Sequence, residues 1–260
     1  VSVAFIIGTV IVMQQINYAK NRPIGYDKEG LIQIPTFSQD FSGKTELMRT
    51  EFLGSGAVLE MSTSSSPTTQ IWSNRSGFIW EGKPEGFQED IAWTEVSPEY
   101  AKSLGLEIVE GRDFSRDFAT DSLGVLINET AKKYLGMENP IGQLLKDDSE
   151  EDPNPPLKII GVVADMIAQS PYEPVKQAMY VYDRSDNGSY YNLRLNPKQS
   201  ASKNLVIVER VFKEHFADVP FEYQFVDDQY GEKFASEERI GTLSGIFTAL
   251  AILISCLGLF

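Results

Sequence analysis

Cysteine is almost missing from this sequence. The one cysteine, Cys256, lies inside an apolar run, so no disulfide can form within the chain and no zinc site can be built from thiolates. Histidine is as scarce. His215 stands alone, which leaves no histidine cluster for a metal, and any Ser-His-Asp triad would have to pass through it. There is no G-x-S-x-G segment. Positive charge is in deficit: 23 Lys and Arg face 37 Asp and Glu, for a net charge of −14. Such a surface repels nucleic-acid backbones and offers no polybasic patch to anionic lipid, so no nucleic-acid partner is expected. Val1–Met13 has no basic flank before it and no A-x-A-like end after it, so it does not read as a cleavable signal peptide.

Two charge-free apolar stretches are present instead. Val1 to Ala19 carries no charged residue, and neither does Ile240 to Phe260. Stretches of this length and polarity span a bilayer as helices, because a helix satisfies its own backbone in lipid. The expectation is a piece of a membrane protein: the end of one transmembrane helix, a large water-exposed domain and the start of the next helix. Lys20, Arg22 and Lys28 follow the first stretch, but a loop this long crosses a membrane largely regardless of its charge. Gly241, Gly245 and Ala249 recur every fourth residue on the second apolar helix, a spacing that lets another helix approach closely.

Between the apolar stretches the patterning alternates. Leu31–Pro35 reads as a strand, about 43–53 as a helix and Ala57–Ser62 as a strand, which makes a β-α-β opening. Ser62–Pro67 is a loop. Short strands are then expected at Gly77–Trp80, Ile91–Val96, Val125–Asn128, Leu157–Val163 and Ala178–Tyr182. Helices are expected at Glu99–Leu104, with Ser97 as N-cap and Gly105 as terminator, and at Glu129–Leu135, capped by Asn128 and closed by Gly136. Asp147–Pro156 is acidic and proline-rich and reads as an exposed loop. Tyr190–Asn196, Ser200–Phe216 and Phe221–Val226 form a second β-α-β pattern, and Asp227–Arg239 is a helix-compatible stalk. The fold class expected is α+β. Two β-α-β units (29–66 and 189–228) form one subdomain, a mixed α/β subdomain (67–188) is inserted in it, and flanking segments (1–28 and 229–260) hold the stalks and transmembrane helices.

Several motifs suggest chemistry. Gly43-Lys44-Thr45 follows a strand and opens a helix as a phosphate-binding loop does, but Ser38 stands where that loop needs glycine, so a solvated helix start is the better reading. Glu107, Glu110, Asp113, Asp117 and Asp121 crowd one stretch, and a glycosidase would need two such carboxylates facing across a cleft. Trp72, Trp80, Phe87, Trp93, Tyr172, Tyr180 and Tyr182 supply either core packing or an apolar contact surface. No residue set here is expected to be catalytic, to bind a cofactor or to hold a metal.

Five phrases carry a resemblance. They are Val96-Ser97-Pro98-Glu99-Tyr100 with Leu104-Gly105, Glu110-Gly111-Arg112-Asp113-Phe114, Val125-Leu126-Ile127-Asn128-Glu129-Thr130-Ala131, Asn139-Pro140-Ile141-Gly142 and Ile160-Gly161-Val162-Val163-Ala164-Asp165. In this order they resemble the periplasmic core domain of MacB-type ABC transporter permeases, with Gly25-Tyr26-Asp27 before them and Phe234, Glu237, Glu238 and Arg239 leading into an FtsX-like permease domain. The resemblance implies a bacterial inner-membrane permease with its large domain in the periplasm or outside the cell. It implies a permease dimer, a partner ABC ATPase as subunit or fused domain, and a periplasmic adaptor or outer-membrane partner. The implied role is to couple cytoplasmic ATP hydrolysis to export or periplasmic handling of substrate, with no enzymatic activity in this domain. A ligand-sensing ectodomain of a two-helix membrane receptor is the alternative. A membrane-tethered enzyme is a third reading, and it would need paired carboxylates such as Glu110 and Asp113.

Overall fold

The structure is a computed structural model. It describes residues 2–149, 154–186 and 188–257, so the middle of the expected Asp147–Pro156 loop and the last residues of the second apolar run lie outside the described residues. The chain divides into two compact units. One comprises Val1–Pro23, Ser170–Pro174 and Asp228–Phe260; the other comprises Ile24–Gln169 and Val175–Asp227.

The first unit holds two long helices. Helix α1 (Ser2–Asn21) forms over the first apolar stretch. In the larger unit the chain then runs through β1 (Leu31–Pro35), α2 (Thr45–Gly54), β2 (Val58–Ser64), β3 (Ser73–Arg75), β4 (Phe78–Ile79), β5 (Ile91–Val96), α3 (Tyr100–Leu104) and β6 (Ile108–Gly111). It continues through β7 (Gly124–Asn128), α4 (Glu129–Tyr134), β8 (Leu144–Asp147), β9 (Leu157–Val163), β10 (Ala178–Tyr182), β11 (Tyr190–Leu195), α5 (Ala201–His215) and β12 (Gln224–Phe225). Helix α6 (Val226–Glu232) leads to α7 (Ala235–Leu257), which belongs to the first unit. Among the described residues, α7 is the one helix long and apolar enough to cross a membrane.

The strands of the larger unit join in one mixed sheet of order β12-β1-β11-β2-β5-β10-β7-β9-β8-β4, with β3 on β5 and β6 on β9. The fold is α+β, as the patterning implied. At one end, β1 and β2 flank β11 and both run antiparallel to it, so the two β-α-β units interlock in a split arrangement. Met48 and Phe52 of α2 and Val208 and Phe212 of α5 pack with Ile32, Met61 and Leu193 of these strands in one buried cluster. At the other end, β5 and β10 are parallel, β10 and β7 antiparallel, and β7 and β9 parallel. Strand β7 is buried along its whole length, which is why its sequence reads as an unbroken apolar run rather than an alternation. Ile91, Val125, Ile127, Ile159, Val162 and Met179 make its core. A third cluster draws on both ends, with Leu31 and Val226 beside Leu104, Leu126 and Tyr180. The sheet passes from one end to the other through a single register pair, Ser64 with Val96.

Three local expectations are corrected. Ser97 does not cap α3: its hydroxyl accepts from the Thr63 N–H at 3.0 Å, and Glu99 occupies the N-cap position without a side-chain cap bond. The strand expected at Phe221–Val226 shrinks to two residues, because Val226 already opens α6. The stalk expected over Asp227–Arg239 is two helices separated by Lys233 and Phe234, whose N–H groups close a turn on the Tyr230 and Gly231 carbonyls. Other expectations hold. The Asn128 side chain accepts from the Ala131 N–H at 2.9 Å, and Gly105 ends α3 in the left-handed region at φ 69°.

Candidate functional site

The residues singled out for chemistry scatter. Asp121 is buried and takes two guanidinium N–H bonds from Arg112, each 2.6 Å, and one from the Ser115 N–H. Burial alone would raise its carboxyl, but these donors outweigh it and hold it below the usual carboxylate range. Glu110 pairs with Lys132. Asp113 accepts only the Phe114 N–H; burial, with Glu99 and Asp121 nearby, pushes it up to about 6. Glu107 and Asp117 are exposed. Asp121 and Glu110 are therefore placed as partners of local cations. Lys44, the lysine of the phosphate-loop look-alike, lies over the Phe216 ring at 4.8 Å, and α2 begins at Thr45 without a side-chain cap. His215 ends α5, where it complements the helix dipole. Among the described residues no group of three or more His, Cys, Asp or Glu is placed to hold a metal.

The aromatics divide in the same way. Trp93 stacks on Phe78 at 6.0 Å, Trp80 meets Phe87 edge-on, and Tyr180 packs on Tyr100; all three are buried core. Trp72 is exposed beside Phe37 and Tyr190. Tyr172 belongs to the unit with the long helices.

That unit has a built interior. Helices α1 and α7 run antiparallel. Thr9 and Thr248 join their hydroxyls at 2.9 Å, Ile16 lies over Gly241, and Lys20 pairs with Glu238. The side of α7 turned to α1 carries Gly241 and Thr248, both buried. Ala249 is exposed and Gly245 has open space beyond its Cα, so of these three small residues Gly241 is the one that meets α1. Below the apolar part, the chain's short 170–174 pass is held. Arg22 donates to the carbonyls of Pro171 at 3.1 Å and Glu173 at 3.4 Å. Phe234, in the turn between α6 and α7, is buried with Tyr172 edge-on at 5.8 Å, Tyr230 at 5.5 Å and the Lys20 ammonium over its ring. Burial, with Glu237 and Glu238 nearby, raises the Tyr172 hydroxyl. Three passes of the chain are thus fastened at one place by a guanidinium fork and an aromatic cluster. Sequence reading named Phe234 and Arg22 but not this meeting, because the 170–174 segment carries no periodic signal.

An ionic cluster in the larger unit was also missed. Glu60 of β2 is buried and takes Arg49 at 2.7 Å on one oxygen and Lys102 at 2.7 Å on the other. Glu99 takes Arg116 at 2.5 Å, and Arg116 reaches Glu46 at 2.6 Å. Burial opposes ionisation of Glu60, but its donors hold it below the usual range. The cluster ties α2, β2 and α3 to the 112–118 loop. Its members come from distant parts of the sequence, and that separation hid it.

Known proteins place this architecture. The periplasmic region of MacB from Actinobacillus actinomycetemcomitans matches with a TM-score of 0.54 at 14% identity, covering 83% of this chain and 97% of that one. A domain assigned to a permease protein from Porphyromonas gingivalis matches with a TM-score of 0.52 at 19% identity, covering 75% of this chain and 89% of that one. At such identities the likeness shows the fold. No curated protein sequence matches this chain. The family described as the MacB-like periplasmic core domain matches residues 1–205. With the mixed sheet, the apolar helix α7 and that match in hand, the chain belongs to the MacB-like periplasmic core domain family and carries the periplasmic domain of an ABC-type permease.

Proposed function

We propose that this chain couples ATP hydrolysis by a partner ABC ATPase in the cytoplasm to export or periplasmic handling of a substrate. In this reading the protein sits in the bacterial inner membrane, acts as a permease dimer and works with a periplasmic adaptor or outer-membrane partner. The observation that carries the reading is the fastening of three chain passes beside the α1–α7 pair. Arg22, Tyr172 and Phe234 hold the 170–174 segment to the ends of both helices. That segment is continuous in sequence with β9 before it and β10 after it, so a displaced helix pair pulls on the sheet through the chain itself. In the same reading the larger unit works as two parts, the β-α-β subdomain (29–66 and 189–228) and the inserted subdomain (67–188). The single Ser64–Val96 pair supports that division, since a lone register pair is the narrowest place in the sheet. In the same reading the residues of this domain transmit movement, and no catalytic, cofactor-binding or metal-ligating set is assigned among the described residues.

Proline in place of Arg239 tests the coupling. Arg239 lies within α7 near its water-side end, and proline there removes a helix bond and bends the axis, at about 3 kcal/mol. The chain is reconstituted with its ATPase in nanodiscs, and hydrogen exchange is followed with and without ATP. The wild type and Arg239→Ala should show ATP-dependent exchange changes at 170–174 and α6. Arg239→Pro should keep ATP hydrolysis and lose those changes. ATP-dependent changes that persist in the proline variant would sink the coupling reading.

A further inference from the structure

The larger unit carries a cleft of about 560 Å³ between the loop after β1 and the segment before β11. That is within the range of small-ligand sites, roughly 300–1,000 Å³. Its chemistry is narrow. Among the described residues, the wall is formed by Ser38, Ser42, Thr45, Asp186, Ser189 and Tyr191 beside Phe37 and Phe41, with no lysine, arginine or histidine. The two sides are pinned together where the Thr36 hydroxyl donates to the Gly188 carbonyl at 2.6 Å. Asp186 holds a left-handed φ of 53°, the one non-glycine residue with positive φ among those described. That conformation costs energy unless the surroundings or a function require it. Tyr191 is 1% exposed, and its hydroxyl meets no hydrogen-bond partner at bonding geometry, with the Thr45 side chain beside it.

The rim is aromatic. Phe37 lines the cleft and is 66% exposed; it stacks on Trp72, 49% exposed, with centroids 6.2 Å apart and planes at 22°. Both rings meet Tyr190 edge-on at 5.4 Å. Large aromatic faces left in water beside a polar cleft mark a binding surface.

We propose that this cleft binds a neutral saccharide. A sugar ring has an apolar face of C–H groups and an edge of hydroxyls that donate and accept. The first suits the Phe37–Trp72 platform, and the second suits the Asp186 carboxylate and the serine, threonine and tyrosine hydroxyls. Other ligand classes leave part of the site unused. An anion would face Asp186 with no cation to offset it. An acyl chain would bury the hydroxyls without partners. A small cation would use Asp186 and leave the hydroxyl wall idle. The proposal does not depend on the coupling reading, since it rests on a different part of the molecule.

Calorimetric titration of the full chain in lipid nanodiscs tests it. The probes are chitotriose, maltotriose, tetramethylammonium and inorganic phosphate. At least one trisaccharide should give a saturable signal. Phe37→Ala and Trp72→Ala should each weaken it about tenfold or more, equal to about 1.4 kcal/mol. Both side chains are exposed, so the fold tolerates the changes. Asp186→Asn keeps a residue type that accepts positive φ and should weaken binding several-fold by removing the carboxylate. No saturable signal with either trisaccharide overturns the proposal. So does unchanged trisaccharide affinity in all three variants, or tighter binding of tetramethylammonium or phosphate than of either sugar.

Discussion

Asp121 and Asp113 share a loop and respond to burial in opposite ways because only one of them has a cation. Arg112 forks onto Asp121, whose side chain is 1% exposed, while Asp113 has one backbone donor and two acidic neighbours. The signs follow from linkage. Asp113 has its folded value raised from 3.8 to about 6, so its protonated form favours the native state; that contribution is full below pH 3.8 and is lost as pH rises through 6. Asp121 has its folded value lowered, so its contribution is present at neutral pH and lost as pH falls through that lowered value. Asp113→Asn should therefore stabilise the domain by about 1–2 kcal/mol at pH 7.5, with the gain fading to nothing by pH 4. Arg112→Ala should do the reverse. It strands a buried carboxylate, costs about 2–3 kcal/mol at pH 7.5 and costs less at pH 4, where the lone carboxyl takes up a proton. Urea midpoints at the two pH values check both. A gain for Asp113→Asn that is equal at pH 4 and pH 7.5 would contradict the assignment.

At the scale of elements, β6 and β9 show how the recognised phrases work. Gly111 and Gly161 face each other in the ladder, and a Cβ on Gly161 would collide with the Arg112 carbonyl oxygen. Gly161→Ala should cost about 2–3 kcal/mol through that overlap. Gly231→Ala, inside α6 with open space around it, should be neutral or slightly stabilising because alanine suits a helix better. Equal thermal shifts for the two variants would mean that close approach does not explain the first glycine. The elements that were legible from sequence share a feature: each has a strong period or a clear terminator. Strands β1, β5, β7, β9, β10 and β11 and helices α3, α4 and α5 fall where their apolar runs and their Asn128, Ser200 or Gly105 ends put them. Strands β3, β6 and β8 were missed because Ser73-Asn74-Arg75, Ile108–Gly111 and Leu144–Asp147 are short and mostly exposed, so alternation has little to bury. The break at Lys233–Phe234 was missed because nothing there is glycine or proline; the buried Phe234 ring, not a backbone signal, sets the turn. The candidate site was half legible. The apolar stretches and Phe234 were readable, while the capture of 170–174 by Arg22 is a tertiary pairing with no local trace.

Across the whole molecule, the sheet is narrowest at one crossing, and the buried cluster of Leu31, Leu104, Leu126, Tyr180 and Val226 draws on both sides of it. The β-α-β end has its own core around Phe52 and Phe212, and the other end has its own around Ile127 and Ile159. Between them the ladder holds one pair, Ser64 with Val96. Two backbone rungs flank it, from the Ser65 N–H to the Glu95 carbonyl at 2.9 Å and from the Ser97 N–H to the Thr63 carbonyl at 3.1 Å, while the two remaining N–H groups end on hydroxyls: Thr63 on Ser97 at 3.0 Å and Glu95 on Ser65 at 2.9 Å. Half of the N–H groups at this crossing thus end on hydroxyls rather than on carbonyls, which leaves it with fewer backbone rungs than the ladders on either side. If the two ends serve as separate parts of a coupling domain, the crossing must open more readily than either core. The amides of Thr63 and Glu95, which end on hydroxyls, should then exchange about tenfold or more faster than those of Met61 and Leu193 on one side and Leu126 and Val162 on the other, a gap of about 1.4 kcal/mol. Replacing Ser97 with alanine removes one of the hydroxyl acceptors and should widen that gap without changing protection in either core. Native-state hydrogen exchange resolved to single residues reads both. Crossing amides as protected as the two cores would mean that the larger unit moves as one body, and force from the helix pair would then be passed on by displacement of the whole sheet rather than by bending within it.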